Sequence, residues 1–512
     1  MNQTQVLIVG AGPTGLALAL FLAKSGVRPR IIEKNSGPGQ TSRAMGVQAR
    51  TIEFYRQLGF AEDVVNHGIQ VKAAHIWEGG QEVAQVRLGD FGQGLSPYPF
   101  VLSLPQDEHE RLLGEQLRAA GVEIEWNTAM VSFADGGDRV RATLRHDGAE
   151  TECDAAYLCG CDGAHSVVRQ GLNLGFPGGT YDQRFYVADV EAAGAAAIED
   201  GFSMCLAPQA FCLVLPVRTT GMYRLIGLVP EELSGHDEVT FDQVRPYAEK
   251  LVGVSVAKLN WFSSYRVHHR VAGHFRVGRA FILGDAGHIH SPAGGQGMNT
   301  GIGDAVNLSW KLAAVLQGRA DSEILDTYET ERIAFARSLV ETTDRLFQAM
   351  VGRGITSHLF RETLMPHLVP FLFGFAAART AAFRLISQTR INYQGSALSE
   401  GAAGEVHGGD RLPWVTLGDG SDNFAPLKSL DWQVHVYGQA GQALQDAARD
   451  AHLPLHQYDW ADPMEKAGLK RDALYLVRPD GHAALADPGQ DVEKLQAHLS
   501  RFKIVPIQDA TA

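Results

Sequence analysis

Residues 6–15 read Val6-Leu7-Ile8-Val9-Gly10-Ala11-Gly12-Pro13-Thr14-Gly15, followed by the helical stretch Leu16 to Ser25 and then Arg30-Ile31-Ile32-Glu33. An apolar run, a Gly-x-Gly-x-x-Gly turn, a helical stretch and a second apolar run make a strand–turn–helix–strand unit. The glycines of such a turn serve different ends. The first makes the tight turn, the second lets a pyrophosphate approach the backbone, and the third lets the helix pack close. Phosphate charge then sits at the helix N-terminus, where the N–H groups lack partners and the helix dipole is positive. Glu33, with Lys34 beside it, ends the second strand, where a carboxylate can accept hydrogen bonds from an adenosine ribose. Alone the glycine pattern is weak; between a strand and a helix it predicts dinucleotide binding over a purely structural turn.

The chain has 512 residues, more than one hydrophobic core sustains, so at least two packed units are expected. Its 45% hydrophobic and 20% charged residues are ordinary globular composition, and a net charge of −13 argues against a nucleic-acid partner, which would need clustered Lys and Arg. The cysteines Cys153, Cys159, Cys161, Cys205 and Cys212 are odd in number, and the Cys159/Cys161 pair has no second ligand cluster at metal spacing. Neither a disulfide framework nor a metal is expected. The chain enters its first strand without a basic stretch or cleavage site, and the apolar runs Leu16 to Ala23 and Leu368 to Ala378 are too short to span a bilayer. A cytoplasmic protein without a membrane segment is the expectation.

Further along, a helix over Asp107–Ala120 and a strand over Ala155–Cys159 continue the α/β pattern. Residues 182–272 change to short strands rich in β-branched and aromatic residues, such as Phe185–Val190, Phe211–Val217 and Tyr223–Val229, which predicts an inserted, mostly antiparallel sheet. After it come a strand at Ala280–Leu283, a Gly-rich loop, a helix beginning near Asp304 and helical periodicity to about Ser387. The expected fold is therefore α/β: a Rossmann-like nucleotide-binding domain split into residues 1–181 and 273–395, the inserted sheet domain 182–272, a linker at Gly395–Gly409, and a C-terminal domain over 405–512.

Two later stretches sharpen the reading. Gly160-Cys161-Asp162-Gly163, followed by Arg169, and Gly284-Asp285-Ala286-Gly287-His288 each place an Asp at the C-terminal end of a strand. Ligands of open α/β sheets bind at that edge, and a carboxylate there can hold the polyol of a flavin. The loop Pro292-Ala-Gly-Gly295-Gln-Gly297-Met298-Asn299 can then turn its amides toward a flavin ring and stabilise negative charge on the reduced form.

With these three motifs in order, the sequence resembles the single-component FAD-dependent aromatic hydroxylases, typified by para-hydroxybenzoate hydroxylase and phenol hydroxylase, over nearly its whole length. The resemblance implies a flavoprotein monooxygenase that hydroxylates a small phenolic substrate with O2 and with NADPH or NADH as a transient co-substrate. It implies that Gly10, Gly12, Pro13, Thr14, Gly15, Glu33 and Lys34 serve the ADP part of FAD. Arg43 and Gln106 fall along its phosphates and ribityl chain, Asp285 on the ribitol, and Pro292, Gly295, Gly297, Met298 and Asn299 along the ring. Asp162 would support both FAD and the nicotinamide coenzyme. Met45 stands where some phenol hydroxylases carry an Asp, which removes one obvious proton acceptor.

A tyrosine at the similar position in phenol-hydroxylase-like relatives hydrogen-bonds the substrate hydroxyl, which makes Tyr265, and less directly Arg266, the candidate substrate-facing residues. Strand alternation sends these two to opposite faces. The alternative for Tyr265 is a packing residue, and for Arg266 a solvated basic edge. The C-terminal residues resemble the thioredoxin-like domain of phenol-hydroxylase-type members. With no cysteine after Cys212, thiol–disulfide chemistry there is excluded, and a packing or homodimer role is expected, separable from the flavin site. Same-fold flavoenzymes with other oxygenation chemistry, or a silent FAD-binding scaffold, remain the alternatives; the tryptophan motif of flavin halogenases is absent from the sequence.

Overall fold

The computed structural model describes residues 3–39, 44–89, 91–207, 210–217, 221–233, 235–236, 238–291, 295–351, 373 and 375–507. Arg43 and Pro292 lie outside the described residues.

The first sheet carries the strand–turn–helix–strand unit. Its strands run in the order Arg276–Val277, Ala280–Ile282, Ala149–Gly160, Gln3–Val9, Arg30–Ile32 and Ile124–Glu125, with Thr128–Asp135 and Val140–His146 branching from Ala149–Gly160. Gln3–Val9 pairs in parallel with both neighbours, Ala149–Gly160 and Arg30–Ile32. The helices in chain order begin with α1 (Pro13–Lys24), α2 (Ala49–Leu58), α3 (Ala61–His67) and α4 (Gln106–Ala119). They continue with α5 (Val167–Gly171), α6 (Phe241–Val252), α7 (Gly297–Leu316) and α8 (Asp326–Val351). Helix α1 is apolar on every face because it is enclosed: Gly15–Leu22 are all buried between the sheet, α4 and α7.

The second sheet is largely antiparallel, as expected, but wider than residues 182–272. Its order is His288–Ile289, Val254–Val271, Gly178–Gly194, Met222–Leu228, Ala210–Pro216, Gly201–Ala207, Ala73–Glu78 and Gln81–Arg87. The hairpin Ala73–Arg87 thus comes from the preceding segment and joins through a parallel pairing of Ala73–Glu78 with Gly201–Ala207. One face is covered by α6, where Phe241, Val244 and Val252 pack with Tyr186, Val190 and Leu225. The other face looks toward the nucleotide-binding domain, because Ala74 and Phe202 on it pack against that domain's core.

Gly395–Gly409 is not a linker. Glu400–Ala403 pairs in parallel with Ala483–Asp487 inside a third, mixed sheet that also holds Gln433–Tyr437, Leu455–Tyr458 and Leu474–Val477. The glycines there answer to close packing rather than flexibility: a Cβ on Gly408 would lie 2.2 Å from the Glu400 nitrogen. Nor is the C-terminal part a separable unit, since Trp432, Val434, Leu474 and Leu485 belong to the same apolar core as Val6, Leu16 and Leu308. Buried ion pairs cross the junction, with Arg411 on Glu53 at 2.5 Å and Arg478 on Glu331 at 2.8 Å. Among the described residues no helix is long and apolar enough to cross a membrane, and no group of His, Cys, Asp and Glu could hold a metal ion.

Candidate active site

The glycine turn is built as its spacing requires. Gly10 takes φ +102°, and a Cβ there would lie 2.4 Å from the Cys161 carbonyl oxygen; a Cβ on Gly15 would lie 2.0 Å from the Gly10 oxygen. Both glycines are needed for the fold itself. Gly12 differs, because a Cβ there meets nothing within 4 Å. It faces open space at the N-cap of α1, where no side chain caps the first amides and Pro13 opens the helix. The Glu33 carboxylate is set beside the turn: it accepts from the Ala11 N–H at 3.0 Å and from Asn35 at 2.7 Å. Lys34 next to it is exposed. Gln106 begins α4 and donates to Glu110 at 2.8 Å, and burial raises the Glu110 carboxyl above its usual range.

Asp162 and Arg169 brace the second strand end. Asp162 accepts from the Ser166 hydroxyl at 2.5 Å and from the Val167 and Val168 amides at 2.6 and 3.2 Å, so its carboxylate caps α5; burial raises its pKa. Arg169 lies 3.9 Å above the Phe176 ring and donates to the carbonyls of Ala164 and Ala286 at 2.7 and 2.9 Å, tying the second motif to the third.

At the third motif, Gly284 takes φ +58° and a Cβ on it would lie 2.6 Å from the Thr14 hydroxyl; a Cβ on Gly301 would lie 2.3 Å from the same oxygen. Thr14 therefore sits in a notch between the Gly284 loop and α7, which brings the N-terminal ends of α1 and α7 and the Asp285 loop together. Asp285 is exposed while its neighbours Gly284 and Ala286 are buried. Helix α7 begins at Gly297, earlier than the expected start near Asp304, so Gly297, Met298 and Asn299 form its first turn rather than a loop. The Asn299 side chain makes that early start possible. Its oxygen accepts from the Gln48 amide and the Thr51 hydroxyl at 2.9 and 2.8 Å, and its nitrogen donates to the Gly46 and Gly295 carbonyls at 2.8 and 3.0 Å. That side chain holds the turn in place, and backbone amides are what the turn presents. Met298 is held from behind: its sulfur is 3.3 Å from His109 Nδ1, and His109 Nε2 is 2.6 Å from the Tyr55 hydroxyl. Burial pushes the His109 imidazole down to about 4, so it is neutral there.

Asp304, singled out in the sequence only as a helix position, anchors the Gly284 loop. It is fully buried; its Oδ2 accepts from the Gly284 amide at 2.9 Å and contacts His288 Nε2 at 2.7 Å, and its Oδ1 accepts from Arg332 Nε at 2.6 Å. Burial alone would raise this carboxyl, but Arg332 and His288 hold it below the usual carboxylate range. A carboxylate inside the otherwise apolar stretch Gly301–Val306 is the sequence signal that marks it.

The inward face of the second sheet forms the opposite wall. Tyr265 lies on it, half-buried, its ring 6.3 Å from Phe185, among Met204, Leu213, Ile226 and Leu228. Arg266 is exposed on the other face, opposite Arg184. On the inward face, Asp189 and the buried Arg224 form a bidentate pair with both contacts at 2.7 Å.

These parts fit FAD: an open cradle at Gly12 for the pyrophosphate, an exposed carboxylate at Asp285 within the sheet's ligand-binding edge, and an α7 N-terminus with no side-chain cap for the ring. The profile of a family described as FAD binding domain matches residues 3–343. The 6-methylpretetramide 4-monooxygenase of Streptomyces rimosus is 33% identical, with 98% of this chain and 94% of that protein covered. Pentachlorophenol 4-monooxygenase of Sphingobium chlorophenolicum is 31% identical over 68% of this chain and 65% of its own. Among solved structures, the flavin-dependent monooxygenase PieE, in complex with FAD and substrate, superposes with a TM-score of 0.82 at 25% identity, covering 98% of each chain. The anhydrotetracycline hydroxylase OxyS from Streptomyces rimosus gives 0.79 at 27% identity, covering 99% of this chain and all of its own. The chain belongs to this FAD-binding family, and it is an FAD-dependent aromatic monooxygenase.

Proposed function

We propose that this monooxygenase hydroxylates a phenolic ring that forms part of a multi-ring aromatic compound, with Tyr265 orienting the substrate hydroxyl. The observation that carries the reading is the inward face of the second sheet, where the half-buried Tyr265 lies among apolar side chains. Such a wall excludes water and grips flat apolar rings, while one hydroxyl sets their orientation. Two relatives support a substrate larger than a single ring, since the 6-methylpretetramide and anhydrotetracycline enzymes match nearly the whole chain. FAD, once reduced by NADH or NADPH, supplies the activated oxygen. The protein supplies the rest: α1 and α7 bind the cofactor by their N-terminal amides, Asp285 orients it, and Tyr265 holds the substrate's phenolic proton, which favours attack by the ring. Tyr265→Phe keeps the ring and removes only the hydroxyl. FAD content should be normal, while substrate-stimulated NAD(P)H oxidation falls roughly ten-fold, the worth of about one hydrogen bond, and a larger share of the reducing equivalents appears as hydrogen peroxide. Unchanged rate and coupling would return Tyr265 to a packing role.

A further inference from the structure

The anchor of the Gly284 loop does not end at Asp304. Arg332, which grips Asp304 through Nε, donates through Nη1 to the Tyr393 hydroxyl at 3.0 Å and through Nη2 to the Thr300 carbonyl at 3.1 Å. The Tyr393 ring lies 4.5 Å from the ring of His482 and 5.1 Å from the Arg478 guanidinium, both in the C-terminal part of the chain. The residue before Arg332 on α8 is held from the same side: Glu331 accepts from both terminal nitrogens of Arg478, at 2.8 and 3.0 Å, and from Ser396 at 2.7 Å. Glu331, Arg332, Arg478 and Tyr393 are all buried. One turn of α8 is thus gripped by the C-terminal domain through one side chain and grips the flavin loop through the next.

We infer that the C-terminal domain is part of the apparatus that retains FAD, acting through Tyr393, Arg332 and Asp304 as positioning residues for the Gly284–Asp285 loop. The geometry explains why each link is needed. Asp304 presents Oδ2 to the Gly284 amide while its Oδ1 is held by the Arg332 guanidinium, so the carboxylate is fixed at both oxygens. Arg332 in turn has a fixed plane because Tyr393 and Thr300 take its two terminal nitrogens. Releasing Tyr393 lets the guanidinium turn, and the loss reaches the amide that sets Gly284 at its φ of +58° and the adjoining Asp285. Buried networks of this kind act as units, so removal of a distant member is felt at the end.

The inference rests on the assignment of FAD to this site, which the flavin content of the unmodified protein tests separately. Its own test compares holoenzymes: wild type, Tyr393→Phe, Asp304→Asn and the control Arg319→Ala, which removes the ion pair to Asp431 across the same junction, beyond the end of α7 that lies away from the loop. The rate of FAD release on dilution is followed by flavin fluorescence, the reduction potential by equilibration with dyes, and Tm by calorimetry. The expected result is FAD release accelerated roughly five-fold or more in Tyr393→Phe and Asp304→Asn, with a shifted potential, while Arg319→Ala lowers Tm and leaves release at the wild-type rate. Should Asp304→Asn fail to fold, Tyr393→Phe decides alone. Wild-type release in Tyr393→Phe, or equal acceleration in Arg319→Ala, overturns the inference.

Discussion

The glycines at positions 10, 12 and 15 look alike in sequence and differ in space. A Cβ on Gly10 or Gly15 would strike backbone at 2.4 or 2.0 Å, whereas one on Gly12 would enter empty volume before the first amides of α1. Gly12→Val should therefore fold with a Tm near that of the unmodified apoprotein and yet bind no FAD, because its side chain fills the space of the pyrophosphate. Calorimetry and the flavin absorbance of the purified protein check both halves. Asp285 makes the complementary case. As an exposed carboxylate between two buried residues it fills no core space, so Asp285→Ala should weaken FAD retention far more than it disturbs folding. Its FAD dissociation constant should rise roughly ten-fold or more, the scale of a charge-assisted hydrogen bond, read by fluorescence titration.

Among the elements, α1 and α7 meet where Thr14 enters the notch between Gly284 and Gly301. Gly301→Ala should cost about 1–3 kcal/mol through overpacking, and Thr14→Ala in the same chain should recover part of that cost. Denaturant unfolding of the two single variants and the double variant measures the coupling; strict additivity would mean the notch is not a real contact. This scale also shows what can be read from the sequence. The glycine turn, α1 and the strand beside it are legible because their signals are local, a period of apolar residues with glycines at fixed offsets. The place of the hairpin Ala73–Arg87 in the second sheet is not, because its parallel pairing to Gly201–Ala207 has no turn between the partners to announce it. The start of α7 is hidden because Asn299 replaces an ordinary cap with bonds to Gly46 and Gln48, residues far away in the chain. Asp304 carries its role through Arg332 and His288, which no spacing rule connects to it.

At the scale of the whole molecule, one apolar core and a set of buried ions join the C-terminal sheet to the nucleotide-binding domain. Deleting residues 405–512 would strip Arg478 from Glu331 and Arg411 from Glu53, leaving the two carboxylates only Lys311 and Arg50 as cationic partners, and would lay open the apolar core that Trp432, Val434, Leu474 and Leu485 help close. The truncated chain should be insoluble or free of flavin, contrary to the separable tail expected from sequence; a soluble, yellow truncation would refute the joint. Acid should act on the buried histidines and on the same joint. Burial pushes His109, His290 and His482 from 6.5 down to about 4, so between these values the unfolded chain binds more protons than the folded one. Stability is then lost as pH falls from 6.5 toward 4. Glu331 adds a second window: burial would raise its carboxyl, but Arg478 and Lys311 hold it at about 2 against an ordinary 4.5, so its contribution is present above 4.5 and lost below. Tm measured from pH 7.5 downward should decline from about pH 6.5 and fall further below 4.5; a flat profile across that range would contradict the buried, neutral histidines.

The central claim, that this chain is an FAD-dependent aromatic monooxygenase, is tested most directly by turnover under isotopically heavy O2. Purified yellow protein is given NADH or NADPH and a panel of single-ring and multi-ring phenols, and the products are weighed by mass spectrometry. An accepted phenol should stimulate coenzyme oxidation and leave with one heavy oxygen atom on its ring. Coenzyme oxidation indifferent to every phenol, with all reducing equivalents recovered as hydrogen peroxide, or a product whose new oxygen comes from water, would contradict it.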